Sequence, residues 1–147
     1  MSHRTPTPTP PPLRVVSFGY LHDAPPAADL VIDVRELLRD PARVTGSGLI
    51  DLDGHDPWVH AVVMNTPGAR ALVDGLVTAV VGLHLVAGKA VTVAIGCAGG
   101  RHRSVALAEH LAILVQIAAE NLDGRRIEVR VEHLHVHLPR VLTGESR

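Results

Sequence analysis

Hydrophobic and polar positions follow two periods along this chain, and the clearest change from one to the other lies between residues 91 and 120. Residues 91–95 (VTVAI) are mostly β-branched and carry no proline or charge, which predicts a buried β-strand. Residues 106–120 are rich in alanine and place apolar side chains every three to four positions, which predicts an α-helix. The segment GCAGGRHRSV, residues 96–105, is therefore predicted to be a strand-to-helix turn, and we call it the glycine turn.

The same two periods predict the other elements. Apolar runs at residues 13–18 and 29–34 predict strands, joined by a loop rich in turn-forming residues. Residues 57–64 predict a short helix, and Thr66 with Pro67 predicts the start of a longer helix that ends near Gly88. Residues 126–136 alternate as a half-exposed strand does, and the polar segment 38–56 predicts an irregular, lid-like loop.

This order of elements predicts the fold class. Strands separated by helical crossovers form parallel sheets with helices packed on them. We therefore expect one α/β domain over residues 13–138, with a mostly parallel sheet of four to five strands. The Thr/Pro-rich residues 1–12 predict a disordered tail that is partly polyproline II, and residues 139–147 predict a flexible tail.

Composition narrows the function classes. Hydrophobic residues make up 46% of the chain but aromatic residues only 2%, so the core must be aliphatic. The 14 basic and 15 acidic residues nearly cancel, which excludes a protein that coats nucleic acid through bulk charge. The single cysteine excludes an internal disulfide, and the sequence shows no signal-peptide pattern, which predicts a cytoplasmic protein. The apolar run at residues 76–87 contains His84 and Gly82, and we expect a core helix rather than a membrane span.

The glycine turn is predicted to bind an anion. Gly99 and Gly100 let backbone N–H groups approach a ligand closely, and the helix that follows directs its positive end to the same place. The predicted cradle uses the N–H groups of residues 98–102, from Ala98 to His102. Arg101 and Arg103 add positive charge beside it, and Ser104 either caps the helix or donates to a phosphate oxygen. The alternative is that the glycines only make a tight turn and the arginines are solvated.

The other predicted strands bring further side chains to the same place. Ligands of α/β proteins bind beyond the carboxyl ends of the strands. His22 follows the first strand, and Asp33 and Arg35 flank the end of the second. We expect His22 and Arg35 to face Arg103 across one pocket. The alternatives are an ion pair of Arg35 with Asp33 or Glu36, and a solvated His22.

Three weaker patterns remain. Cys97 and Arg103 have the C-x5-R spacing of protein tyrosine phosphatases, but no general acid is obvious in the sequence, and Asp53 and Asp56 are no more than candidates. His133, His135 and His137 would share one strand face, but without an acidic or cysteine partner in the sequence we predict no metal site. Arg125, Arg126 and Arg130 form a modest basic patch that either contacts RNA phosphates or is a solvated strand edge.

Two blocks of the sequence carry a family resemblance. SFGYLHDAPPAADLVIDVREL (residues 17–37) and TVAIGCAGGRHRSVALAEHLA (residues 92–112) resemble the C-terminal domain of the RNase adapter protein RapZ. The resemblance extends over residues 13–136, with Thr45-Gly46 as a weaker match. It implies an α/β domain that in enterobacteria binds glucosamine-6-phosphate, contributes to RNA binding and tetramer formation, and presents a small RNA to a ribonuclease.

The resemblance also implies which residues form the pocket: His22, Cys97, Gly99, Gly100, His102 and Arg103, with Asp33 and Arg35 nearby. Ala98 stands where the family has a threonine, which removes a hydroxyl from the cradle. The G-x-x-x-x-G-K-[ST] loop of the family's nucleotide-binding domain does not occur in this sequence, so nucleotide hydrolysis of that kind is not expected.

We therefore expect a non-catalytic module without a cofactor that binds a phosphorylated metabolite, such as an amino-sugar phosphate, and passes its occupancy to a partner. Arg103 would hold the phosphate, and His22 and His102 would bind sugar or phosphate oxygens. The alternatives are an RNA-binding adapter and a phosphatase that uses Cys97 and Arg103. A homo-oligomer is implied by the resemblance alone.

Overall fold

A computed structural model describes residues 11–41 and 48–140, and in them it confirms the predicted parallel sheet. The four strands are β1 (Leu13–Gly19), β2 (Leu30–Asp33), β3 (Val91–Cys97) and β4 (Val129–His133), in the order β2-β3-β1-β4. All three pairings between neighbours are parallel. The four carboxyl ends therefore lie along one edge of the sheet.

Three helices cover the sheet. They are α1 (Pro57–Met64), α2 (Ala69–Val80) and α3 (Arg103–Asp123), and α2 continues as a π-helical segment over Val81–Val86. The carboxylate of Asp56 accepts the N–H groups of Trp58 and Val59 and so caps α1, whose first residue is Pro57. Gly124 ends α3 in the left-handed conformation, with φ 74°.

The core lies between the sheet and α3, which contacts β1, β3, β4 and both other helices. It is aliphatic, as the composition predicts. Alternate residues of β1 and β3 point into it, and the matching stripe on α3 lies opposite; the fully buried members include Leu13, Val15, Val93, Ile95, Leu107, Leu111 and Val115. This packing fixes α3 against the sheet, with its amino terminus at the carboxyl edge.

The predicted start of α2 is wrong. Gly68, with φ 91°, precedes the first helical residue, Ala69. The hydroxyl of Thr66 donates to the carbonyl of Val62 at 3.0 Å, so it closes the end of α1 rather than capping α2. Thr66 comes too soon after α1 for its side chain to turn toward the next helix.

The last strand is shorter than predicted. β4 pairs with β1 from Leu13 opposite Val129 to Ser17 opposite His133, so residues 126–128 precede the start of the partner strand. Beyond His133 the N–H of Leu134 still donates to the carbonyl of Ser17 at 3.0 Å, and the chain then turns away. Alternation therefore predicts a longer strand than β1 can pair with.

The segment predicted as a lid is packed where the structure describes it. Leu49 is buried in a 3-10 turn over Leu49–Asp51, and the N–H of Gly54 donates to the carbonyl of Arg101 at 2.6 Å. Thr45-Gly46, residues 1–10 of the first predicted tail and residues 141–147 of the second lie outside the described residues.

Two helical stretches, Ala69–Val86 and Arg103–Asp123, are long and apolar enough to cross a membrane by length and composition alone. Here α3 packs on the sheet and α2 packs on α3, and 28% of the first stretch and 44% of the second are buried. The core helix expected for residues 76–87 stays a prediction. The apolar helical stretch Ala69–Val86 is longer than the predicted apolar run at residues 76–87, because α2 and the π-helical segment are continuous. The cytoplasmic location stays a prediction.

Candidate functional site

The glycine turn lies at the carboxyl edge of the sheet, as predicted. β3 ends at Cys97 and α3 begins at Arg103. The chain leaving β1 is held against the turn, because the N–H of Tyr20 donates to the carbonyl of Cys97 at 2.9 Å and that of Leu21 to Ala98 at 3.0 Å. The ends of β1 and β3 therefore form one backbone platform.

Three glycines of this platform, Gly19, Gly99 and Gly100, differ in the space around them. A Cβ on Gly19 would lie 2.5 Å from the carbonyl carbon of Gly99, so a side chain there would separate the two strand ends. Gly100 has φ 72°, and a Cβ there would lie 2.8 Å from the backbone nitrogen of Gly19. A Cβ on Gly99, in contrast, would meet no atom within 4 Å. Gly99 therefore presents bare backbone to open space.

Cys97 and Ser104 form the buried base of the turn. The Cys97 thiol accepts the N–H of Gly100 at 3.3 Å and lies 3.2 Å from the Ser104 hydroxyl. Ser104 is completely buried and caps nothing, which corrects the first of its two predicted roles. The residue before α3, His102, also makes no side-chain cap. The positive end of a 21-residue helix thus reaches the turn without a side-chain cap.

Arg103 is 5% exposed and turns toward the segment that follows β2. One guanidinium nitrogen donates to the carbonyls of Leu38 at 2.9 Å and Arg35 at 3.0 Å, and another lies 3.7 Å from the carboxylate of Asp40. Arg103 thus holds the 34–40 segment against α3. To hold a phosphate, as predicted, Arg103 must use those guanidinium nitrogens that are not engaged in these contacts.

His102 also turns toward a neighbouring loop. Its Nε2 donates to the carbonyl of Leu49 at 3.0 Å, and the side chain is 8% exposed. Burial lowers the pKa of His102 below its usual value, and Arg101 adds to this effect against the opposing influence of Asp40. The imidazole is therefore neutral near pH 7 and serves as a hydrogen-bonding group rather than a charge.

Arg101 is held less tightly than Arg103. Its two terminal nitrogens donate over 3.4 Å to Val136 and 3.5 Å to Leu52, both backbone carbonyls. Its Nε is buried without a hydrogen-bond partner among the described residues. A buried donor without an acceptor is costly, so Arg101 carries an unsatisfied N–H group beside the glycine turn. It is absent from the pocket residues that the family resemblance implies.

Arg35 adopts the ion-pair alternative. Its guanidinium forms hydrogen bonds of 2.7 to 3.2 Å to the carboxylate of Asp33 and lies 3.7 Å over the ring of Tyr20. The hydrogen bond from Arg35 lowers the pKa of Asp33. The stack on Tyr20 keeps Arg35 at the rim of the carboxyl edge, beside rather than inside the turn.

His22 is half-buried and contacts His135, which was predicted to lie on one strand face with His133 and His137. Its ring lies 4.9 Å from that of His135, whose Nδ1 accepts the N–H of Gly19 at 2.8 Å. Burial, followed by the proximity of His22, lowers the pKa of His135. His135 therefore closes the side of the turn next to Gly100, and only a fold that brings β4 beside β1 reveals it.

The predicted histidine face is wrong. β4 ends at His133, so the two-residue alternation does not continue to His135 and His137. His133 turns toward Ser17 and Glu109, whereas His135 turns toward Gly19. The acidic partner that the sequence did not show is Glu109 of α3.

The candidate general acids are engaged elsewhere. Asp56 caps α1, and the carboxylate of Asp53 accepts the backbone N–H of His55 at 2.8 Å and lies 3.1 Å from its Nδ1. Neither carboxylate has a described contact with Cys97. The phosphatase alternative therefore has its thiol and hydroxyl in place, but neither of these two described carboxylates beside them.

The arginines predicted for RNA lie at the opposite edge of the sheet. Together with Pro12, Leu13 and Gly88 they line a cleft of about 390 Å³ at the amino ends of the strands. Arg125 pairs with Asp123 at 2.6 Å and Arg130 with Glu128 at 3.3 Å. The basic patch and the glycine turn are therefore two separate surfaces.

Comparison with known proteins agrees with this architecture. The family model of the RapZ C-terminal domain matches residues 11–137. The chain belongs to this family. The family resemblance found in the two sequence blocks is thereby confirmed, and the match extends over the sheet, the glycine turn and β4.

Relatives in the RapZ family are longer proteins. The chain is 43% identical over 128 residues to a "Nucleotide-binding protein" of Rubrobacter xylanophilus, covering 82% of this chain and 39% of that protein. It is 42% identical over 130 residues to "Nucleotide-binding protein TTHA0319" of Thermus thermophilus, covering 84% and 42%. The chain thus spans about two fifths of the length of these relatives.

Proposed function

We propose that this chain is a ligand-binding module whose glycine turn holds the phosphate of a small phosphorylated metabolite. The observation that carries the proposal is the open face of Gly99, set between a backbone platform and the uncapped start of α3. Backbone N–H groups with a helix dipole behind them form a common phosphate site in proteins. Membership of the RapZ C-terminal family favours the same surface.

Electrostatics around the turn supports an anion. Arg101 has a buried Nε without a partner, and Arg103 brings a second positive charge to the start of α3. His102 and His135 have lowered pKa values and are neutral near pH 7, so they act as hydrogen-bonding groups beside the phosphate. An amino-sugar phosphate would place its phosphate on the turn and its hydroxyls toward His22 and His135.

The geometry supports binding without catalysis. The Arg103 guanidinium donates to backbone carbonyls. The Asp53 carboxylate contacts His55, and the Asp56 carboxylate caps α1. A thiol buried to 2% exposure at the base of the turn acts as an acceptor for the N–H of Gly100. In this proposal Cys97 shapes the turn and does not attack the ligand.

Gly99→Ala tests the proposal directly. The added methyl enters open space and the backbone of Gly99 is not left-handed, so the fold should be kept, while the methyl occupies the volume of the ligand. We expect wild-type thermal stability and at least about tenfold weaker binding, or roughly 1.4 kcal/mol. The control is Gly75→Ala on α2, which also adds a methyl to open space, but away from the turn.

Calorimetry with inorganic phosphate, glucosamine-6-phosphate, glucose-6-phosphate and nucleotides supplies the measurement. Tighter binding of the amino-sugar phosphate than of the others would support a metabolite sensor. Equal binding by Gly99→Ala and wild type would refute the site, and no binding of any anion by the wild type would refute the function.

A further inference from the structure

Three side chains from three different elements meet beside the glycine turn. His55 comes from the loop before α1, Glu109 from the second turn of α3 and His133 from the end of β4. The Glu109 carboxylate lies 2.7 Å from Nε2 of His133 and 3.3 Å from Nε2 of His55. One ligand atom from each residue lies within 4.8 Å of the other two.

The remaining ring nitrogen of each histidine is held by an oxygen. Nδ1 of His55 lies 3.1 Å from the carboxylate of Asp53, and Nδ1 of His133 contacts the hydroxyl of the fully buried Ser17. Histidines that ligate metals almost always have such a partner on the second nitrogen, because it fixes the ring and directs the first nitrogen to the ion. Both rings are thus oriented with Nε2 toward the same carboxylate.

We propose that His55, Glu109 and His133 form a Zn²⁺-binding site. Two imidazoles and one carboxylate are a known zinc donor set that leaves a fourth position open. Ligand atoms of a tetrahedral zinc stand about 3.4 Å apart, given zinc–ligand distances near 2.0–2.2 Å. The separations found here, from 2.7 Å to at most 4.8 Å, bracket that value.

The site has one firm side and one open side. The side chain of His133 is 10% exposed, whereas those of Glu109 and His55 are 36% and 48% exposed. His55 can therefore move the short distance that closes the coordination sphere, and the ion can enter from solvent. The proposal does not depend on the phosphate ligand, although Gly54 links the His55 loop to the turn through the carbonyl of Arg101.

Zinc titration of the whole chain against a chromophoric chelator tests the proposal. We expect one strong Zn²⁺ per chain, a thermal stabilisation by Zn²⁺ but not by Mg²⁺, and visible absorption bands from bound Co²⁺ typical of four- or five-coordinate sites. His55→Gln and Glu109→Gln should each weaken Zn²⁺ binding by at least about tenfold. His55 is an exposed loop residue, so its variant should keep the wild-type melting temperature without metal.

His60→Gln is the matched control. His60 of α1 forms a separate histidine pair, with its Nε2 3.1 Å from Nδ1 of His110 on α3, and this pair does not belong to the cluster with Glu109. Its variant should bind Zn²⁺ as the wild type does. Loss of binding in His60→Gln with retention in His55→Gln would overturn the proposal, and so would a wild type that takes up no Zn²⁺ in competition with the chelator.

Discussion

Arg103 carries a positive charge into the interior next to the glycine turn. Burying an unpaired charge costs several kcal/mol, and the nearest carboxylate, that of Asp40, is 3.7 Å away. Hydrogen bonds from the guanidinium to backbone carbonyls offset that cost, because charge-assisted bonds are stronger than neutral ones. At the scale of one residue, the charge beside the turn also fixes the segment after β2.

Arg103→Lys should therefore lose stability although it keeps the charge. An ammonium group cannot span the carbonyls of Arg35 and Leu38 as the planar guanidinium does. We expect a loss of about 2–3 kcal/mol in the free energy of unfolding, measured with urea. Arg35→Lys, which alters an exposed ion pair, should cost less than about 1 kcal/mol, and equal losses in the two variants would contradict this account.

His102 gives the protein a defined response to acid. Burial lowers its pKa in the folded chain, so the unfolded chain, with a pKa near 6.5, binds the proton more readily. The stability that the neutral imidazole of His102 contributes is fully present above about pH 6.5. It is lost as the pH falls through the pKa of His102 in the folded chain.

His102→Gln, whose amide can still donate to the Leu49 carbonyl, should lack this contribution. We expect the wild type to lose more stability than the variant between pH 7 and 5, in urea unfolding at each pH. His110 and His135 also have lowered pKa values, but they titrate in both proteins. Parallel stability curves for wild type and variant would contradict the assignment.

At the scale of elements, close backbone contacts position the site. Gly54 packs so closely on the start of α3 that a Cβ there would lie 2.6 Å from the N–H nitrogen of Ala106. The loop, the helix start and the ends of β1 and β3 thus have little freedom to move separately. This explains why the described part of the predicted lid is packed.

Gly54→Ala should separate the loop from α3. Overpacking of this kind costs about 1–3 kcal/mol of stability. Gly75→Ala should instead gain about 0.5–1 kcal/mol, because it adds no clash and reduces the freedom of the unfolded chain. Thermal or urea unfolding measures both, and an unchanged Gly54→Ala would show that the loop moves easily.

Within the described residues, sequence periodicity predicted the four strands and α1 to α3, though not all of their ends, because each depends on local spacing and on burial of one face. It did not predict the hydrogen bond of Gly19 with His135 or that of Arg101 with Leu52. The partners are distant in sequence, and only the folded chain brings them together. The positions of the glycines and basic residues predicted the turn. The guanidinium of Arg103, however, has several possible acceptors within reach. Sequence alone therefore does not say that Arg103 faces Leu38.

At the scale of the whole molecule, the two charged surfaces lie at opposite edges of the sheet. The glycine turn is at the carboxyl edge, and the cleft lined by Arg125, Arg126 and Arg130 is at the amino edge. A ligand on one surface does not occupy the other. Mutations can therefore test a phosphate ligand at the turn and an RNA ligand at the cleft separately.

The triple variant Arg125→Ala, Arg126→Ala, Arg130→Ala should bind small phosphates as the wild type does. If the cleft holds RNA, the variant should also lose RNA affinity and show a slope of affinity against log salt reduced by about 2–3. Filter binding at several salt concentrations measures this. Weaker phosphate binding in the triple variant would show that the two edges are coupled.

The position of β1 in the sheet also sets the order in which the chain can fold. β1 is the first of the four described strands along the chain, yet its two neighbours are β3 and β4, and its Arg14 pairs with Glu132, 118 residues later. Such distant pairings make folding slow, because long loops must close before the sheet gains its contacts. On the ribosome, β1 must therefore wait with an unpaired edge until nearly the whole domain has emerged, and a chain cut before Val129 would leave that edge open to other chains.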